Sequence, residues 1–284
     1  MLPLSRKDYW LSLPSLIMHR YIERVIRVSR RLLDNYAGIR EPEDKIIADS
    51  QAFWNGLSNQ GRDGGPAHFR GQSIFADDTR WVGLGRNSLR IFYRLAGQDW
   101  LKKKPRRILD WGCGGGTCAV HFAPGAACYY GVDITEASLS ECERQVVAMG
   151  LHNFEPLLFA APEPERVAGL IDKPCDLVLS TYVFELLPSK EYGRRVLRTI
   201  HQLLVNEGLA FIQIKYSNHK LNSLSYRWGY AKNLGNMTTY FIEEFWTMAR
   251  ECGFEPQLLY LEPVQPLNND HHFAYFLLEK AKAS

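Results

Sequence analysis

A chain of 284 residues, 46% apolar and 12% aromatic, can bury the core of one large domain or of one domain with an extension. Its 34 basic and 31 acidic residues leave a net charge of +3, too slight to argue for a nucleic-acid partner. No apolar run approaches the roughly 18 residues of a membrane-spanning helix. Residues 11–18 are interrupted by Ser12, Pro14 and Ser15, so no leader peptide is expected. The six cysteines include no C-x-x-C pair, which points to reduced thiols and a cytoplasmic location, with no disulfide and no metal site.

Residues 1–49 have a helical pattern. Tyr21, Val25, Val28 and Leu32 recur at i, i+4, i+7 and i+11, with Ile22, Ile26 and Leu33 widening the stripe. Arg20, Arg24, Arg27 and Arg31 repeat along an adjoining face. Such a row could meet an acidic partner or an anionic lipid surface, although a solvated face is the commoner origin. Residues 50–80 are irregular and rich in glycine, yet Phe53, Trp54, Phe69 and Phe75 give them something to bury. A helical pattern returns over residues 81–101, with Val82, Leu89, Phe92 and Leu95 on one side, and Pro105 is expected to stop it. These features divide the chain into a mainly helical extension, 1–104, and a second unit, 105–284.

In the second unit, apolar runs ending near Trp111, Asp133, Phe159, Thr181 and Ile214 alternate with helical segments. That alternation predicts an α/β fold, a mostly parallel sheet with helices on both faces. The first run is Arg107-Ile108-Leu109-Asp110-Trp111, followed by Gly112-Cys113-Gly114-Gly115-Gly116. Glycines there let a ligand approach the backbone. The next run ends in Asp133, where a carboxylate can accept hydrogen bonds from both hydroxyls of a ribose. The spacing is not that of a dinucleotide site, because the third glycine of Gly-x-Gly-x-x-Gly falls on Thr117. A phosphate-binding Walker loop is excluded too, since no lysine lies between Lys104 and Lys173.

The surviving pattern, Asp-x-Gly-x-Gly-x-Gly over residues 110–116, resembles motif I of the class I S-adenosylmethionine-dependent methyltransferases. The likeness continues through residues 175–188 and the helix, glycine turn and strand that follow, covering about residues 105–280. It implies a Rossmann-like sheet of seven strands, the last inserted antiparallel, and S-adenosylmethionine as cofactor. Gly112, Cys113 and Gly114 would line the methionine portion, with Asp110 fixing the loop or the amino group. Asp133 would hold the ribose and Ile134 the adenine, with Ala161, Ser180 and Thr181 completing the cofactor site. The resemblance also departs from the family. A histidine common after Glu185 is replaced by Leu186, and no Asn/Asp-Pro-Pro-Tyr/Phe run follows the fourth strand, which argues against methylation of exocyclic base amines. By analogy with the family, the extension folds over the cofactor, bringing His68, Phe69 and Arg70 to the pocket.

Residues 215–237 form a long connection containing Lys215, His219, Lys220, Arg227 and Lys232 among Tyr216, Tyr226, Trp228 and Tyr230. A cationic and aromatic cover of this kind suits an acceptor with a ring and a carboxylate or phosphate, and equally suits an amphipathic lid facing water. Tyr216, Arg227 and Trp228 are its expected acceptor contacts. A base is needed where the attacking atom carries a proton, and His219, Tyr182, Glu185 and the pair His271-His272 are the candidates. The expected activity is methyl transfer to a small molecule, at oxygen in preference to nitrogen or carbon. The alternatives are a non-catalytic cofactor-binding scaffold and a nucleic-acid methyltransferase.

Overall fold

The computed structural model describes residues 6–57, 68–104, 106–264 and 270–282. Pro105 lies outside them. Three helices come first: α1 (Arg6–Tyr36), α2 (Glu43–Ala52) and α3 (Asp78–Ala96). The helical pattern of residues 1–49 is therefore two helices, parted where Gly38 takes a left-handed φ of 68° and Pro42 precedes α2. The irregular stretch contains a π-helical turn, Phe53–Leu57, directly after α2. Residues 61–66 of that stretch, with most of its glycines, lie outside the described residues. At the start of α3, Asp77 caps the helix by accepting from the Thr79 N–H at 2.9 Å.

From there strands and helices alternate as expected: β1 (Arg106–Trp111), α4 (Ala119–Phe122), β2 (Ala126–Asp133), α5 (Glu136–Val147), β3 (Phe154–Leu158) and β4 (Cys175–Ser180). They continue with α6 (Lys190–Leu203), β5 (Leu204–Lys215), α7 (Ile242–Glu251), β6 (Phe254–Glu262) and β7 (Phe273–Lys280). The seven strands form one sheet in the order β3-β2-β1-β4-β5-β7-β6. β1 to β5 run parallel, and β7 is antiparallel between β5 and β6. Chain order reverses between β1 and β4, and in open α/β sheets ligands bind at the carboxyl ends of the strands beside such a reversal.

The side chains of one strand alternate between two cores, as the pleat requires. Leu109, Val178, Ala210 and Ile212 face α6 and α7, whose Val196, Ile200, Phe245 and Met248 are buried against them. Ile108, Leu177, Leu179 and Phe211 face α3, α4 and α5, meeting Ile91, Phe92, Phe122 and Leu139. Helix α3 is thus part of the sheet's own core, although its sequence position puts it within the extension. Ile47 of α2 joins the opposite core.

The seat of α3 depends on one missing side chain. A Cβ on Gly85 would stand 1.7 Å from the Thr117 carbonyl oxygen, so the helix can approach the loop after β1 only because this residue is glycine. Gly83, two residues earlier in the same helix, has nothing within 4 Å of its Cβ position. Gly83→Ala should therefore raise stability by roughly 0.5–1 kcal/mol through helix propensity. Gly85→Ala should lower it sharply, because the obstruction is backbone. Urea unfolding of the two variants beside the parent chain checks both signs.

Candidate active site

The loop after β1 is held open by left-handed glycines and stitched to β2. Gly112, Gly114 and Gly116 take φ of 75°, 51° and 90°. The N–H groups of Gly112 and Cys113 both donate to the Val132 carbonyl, at 2.8 and 3.1 Å. The Gly114 N–H donates to Asp133 Oδ2 at 3.0 Å, while Asp133 Oδ1 accepts from the Thr135 N–H at 3.1 Å. Burial pushes the Asp133 carboxyl up to about 6, and those backbone donors pull against the shift. A side chain on Gly112 would collide with Val183, with Cβ 2.4 Å from a valine methyl. On Gly114 it would meet only His68, at 3.6 Å, so the loop leaves a backbone cradle beneath that ring.

Above the loop lies a cavity of about 380 Å³. Gly112, Cys113, Gly114, Asp133, Ile134, Ala161 and Thr181 line it, as do Tyr182 and Glu185 on the acceptor side. The extension closes the other side with Ile47 and Ser50 of α2, then Trp54 and His68. Trp54 Nε1 donates to the Tyr230 hydroxyl at 2.9 Å, joining the extension to the 215–237 connection over the opening. Sequence reasoning missed Ile47, Ser50, Ser138 and Tyr192 as lining residues. Nothing in their local pattern marks them, since α2, α5 and α6 present these residues to the cavity only through the tertiary fold.

Several expected site residues lie elsewhere. Asp110 is buried beneath the loop, where it accepts from the Tyr129 hydroxyl at 2.8 Å, and burial pushes its carboxyl up to about 7. It braces the loop from within the sheet and does not line the cavity. Ser180 donates to the Trp111 carbonyl at 3.1 Å and is likewise covered. Arg70 pairs with Asp78 and lies over Trp81, away from the cavity. Arg227 is buried in an ion pair with Asp34 of α1 at 2.8 Å, and Trp228 lies beneath Arg30 of the same helix. Tyr216 donates to the His271 carbonyl at 3.0 Å.

Among the base candidates, His219 is stacked on Phe241 with ring centres 4.3 Å apart, and it does not line the cavity. His271 and His272 also lie outside, bonded to the Pro263 carbonyl and to Asp270. Tyr182 and Glu185 remain. Tyr182 holds a left-handed φ of 61°, and its N–H donates to Gln213 Oε1 at 2.5 Å. Non-glycine residues with such backbones concentrate at functional sites.

Glu185 is 4% exposed, and its Oε2 has no hydrogen-bond partner. Burial pushes its carboxyl up to about 7, with the positive field of Lys215 opposing. His68, partly buried, has its pKa lowered to about 4 by desolvation and is therefore neutral at pH 7. Among the described lining residues there is no lysine or arginine. The cations of the 215–237 connection, which suited either an anionic acceptor or a face turned to water, do not line the cavity. Lys215, for example, is spent on Asp270.

A glycine cradle at a strand switch point, next to an acid at the tip of the adjoining strand, defines the class of α/β enzymes that hold a nucleoside across their strand ends. The chain belongs to the Methyltransferase domain family, whose match spans residues 86–259. No curated protein matches it by sequence. Among solved structures it resembles the magnesium protoporphyrin IX methyltransferase of Synechocystis PCC 6803 with bound SAH, at 15% identity and a TM-score of 0.57, over 84% of this chain and 100% of that one. It also resembles the 1,6-didemethyltoxoflavin-N1-methyltransferase of Burkholderia thailandensis with bound S-adenosylhomocysteine, at 17% identity and a TM-score of 0.58, over 85% and 91%. An N-methyltransferase from Bradyrhizobium japonicum WM9 matches at 11% and 0.52, over 72% and 99%. At these identities the likeness is one of fold.

The buried acid has a consequence for stability. Folded, Glu185 keeps its proton up to about pH 7; unfolded, it loses it near 4.5. Between those values the unfolded chain binds fewer protons, so stability falls as pH rises. Glu185→Gln cannot ionise and escapes that loss. Its stability relative to the parent chain should grow by about 3 kcal/mol between pH 4.5 and 7. Urea unfolding across that range measures the difference.

Proposed function

We propose that this methyltransferase takes its methyl group from S-adenosylmethionine and gives it to a hydroxyl on a small, neutral, largely apolar acceptor. The observation that carries the reading is the chemistry of the cavity wall: a ribose-type acid, a buried carboxylate with one oxygen unpartnered, and no cation among the described lining residues. Such a wall favours a cationic sulfonium over a phosphorylated ligand. It also disfavours an acceptor that is itself an anion.

The residues fit the cofactor. Asp133 spends part of its carboxylate on Gly114 and Thr135 and keeps lone pairs for ribose hydroxyls. Ile134, Phe159 and Ala161 offer an apolar slot for adenine, and the backbone at Gly112 and Gly114 suits the methionine portion. When bound, the cofactor supplies an electrophilic methyl carbon, so the protein need supply no nucleophile. What it must do is orient the acceptor, exclude water and take a proton. Trp54, His68 and Tyr230 form the cover, and the neutral His68 ring adds no positive charge beside a sulfonium. Glu185, with a pKa near neutrality and a free oxygen, is the proton acceptor this reading assigns for a hydroxyl nucleophile. Tyr182 is then a positioning residue at the junction of the two subsites.

Calorimetric titration with S-adenosylhomocysteine tests the cofactor half. The parent chain should bind it, more tightly as pH rises through about 6 and Asp133 ionises. Asp133→Asn should bind at least roughly tenfold more weakly with that pH dependence gone, since hydrogen bonds to a charged acceptor are among the stronger ones. Equal affinity in the variant would remove the ribose assignment. Incubation with labelled cofactor and cell extract, followed by a search for products heavier by one methylene, tests the acceptor half. Tight binding with no transfer to any neutral hydroxyl compound would leave a scaffold instead.

A further inference from the structure

Helix α1 is docked inside out. At 3.6 residues per turn, Ile17, Tyr21, Ile22, Val25, Ile26, Leu32 and Leu33 fill about half of its circumference, and the arginines fill much of the other half. An ordinary surface helix turns the apolar half to the core. Here the polar half meets the body: Asp34 pairs with Arg227, Asn35 donates to the Ser225 carbonyl at 2.8 Å, and Arg30 and Arg31 lie over Trp228 and Tyr226. The apolar half faces outward. On the docked turns Leu32 is 44% and Leu33 40% exposed, and further toward the amino end Tyr21 is 65%, Ile22 48%, Val25 46% and Ile26 44%. The turns before Arg27 stand clear of the body on every side, with all residues from Met18 to Arg27 exposed. A continuous apolar face of this length is not left to water without a partner.

Charge decides which partner. From Ile17 to Tyr36 of α1, Arg20, Arg24, Arg27, Arg30 and Arg31 face only two acids, Glu23, engaged by His19 at 3.4 Å, and the buried Asp34. Two copies laid face to face would bring arginine rows together with almost no acid between them. An anionic bilayer answers both halves at once, with apolar side chains entering the acyl boundary while the flanking arginines reach the headgroups. Tyr21 and Tyr36 have the amphipathic rings that settle at that level. No helix among the described residues is long and apolar enough to cross a membrane, so the helix would lie in the interface plane. We infer that α1 is an interfacial anchor that holds the chain on the surface of a membrane rich in anionic phospholipid.

Co-sedimentation of the full chain with vesicles tests this. One set is pure phosphatidylcholine and the other contains about one-third phosphatidylserine, a composition to which each nearby arginine should respond. The parent chain should sediment with the anionic vesicles at least about tenfold more than with the neutral ones, and raised salt should release it. The double variant Arg20→Glu, Arg24→Glu should lose that preference at least about tenfold. The triple variant Ile22→Ser, Val25→Ser, Ile26→Ser should lose vesicle binding altogether. All five of these side chains are exposed, and circular dichroism confirms the fold of each variant. The salt series on the parent chain alone decides the matter if a variant fails to fold. Absence of binding, or equal binding to both vesicle types, overturns the inference. So does a concentration-dependent dimer in sedimentation equilibrium that the triple variant dissociates, which would make a second copy the cover.

Discussion

The site rests on a backbone constraint. The chain leaving β1 must turn across the end of β2 and bond to it, and three N–H groups, of Gly112, Cys113 and Gly114, converge on Val132 and Asp133 to do so. Side chains would prevent the turn, both through the left-handed backbone and through the collision with Val183. Asp133 is fixed by the same bonds that fix the loop. The two features that a nucleoside would use, a bare backbone and an adjoining carboxylate, are therefore one structural unit. Beneath it, Asp110 and Tyr129 form a buried pair that supports the loop from inside the sheet.

Around that unit the chain assembles cover from distant parts of its length. α3 comes close because Gly85 has no side chain, and its neighbours Phe75 and Leu84 reach the cavity. α2 supplies Ile47 and Ser50, and the residues after it supply Trp54 and His68. Tyr230 of the 215–237 connection lines the cavity and accepts from Trp54, and the connection is joined to α1 by the buried pair of Arg227 and Asp34. A buried pair is expensive to desolvate and costly to break from one side, so it serves to fix where α1 sits more than to stabilise the chain. Through it, α1 is joined to the connection that carries Tyr230.

The electrostatics of the cavity follow from burial more than from composition. Its acids are raised toward neutrality because little water reaches them, and its histidine is neutral for the same reason. None of the basic residues counted in the 215–237 connection lines the cavity, and Lys215 and Arg227 pair instead with Asp270 and Asp34. Counting charges in a segment says what is available, whereas the packing determines which charges point at a ligand.

Local pattern alone determined the alternation of strands and helices, the glycine turn after β1 and the acid at the end of β2, because each is written in contiguous residues with a definite period or spacing. The antiparallel place of β7 followed from family likeness, since a short apolar run does not state its neighbour. Tyr182 and Glu185 were legible as candidates because they follow a strand end directly, where side chains reach the ligand edge. Arg227, Trp228 and His219 misled, because a cation or ring in a long connection can pack inward as readily as toward a pocket. Ile47, Ser50 and Trp54 carried no local mark of a site, since they reach the cavity through contacts with residues distant in sequence, as Trp54 does with Tyr230. The outward turn of the apolar face of α1 was invisible for a related reason. Periodicity shows that a helix has two faces, but only the elements packed against it decide which face is left to the surroundings.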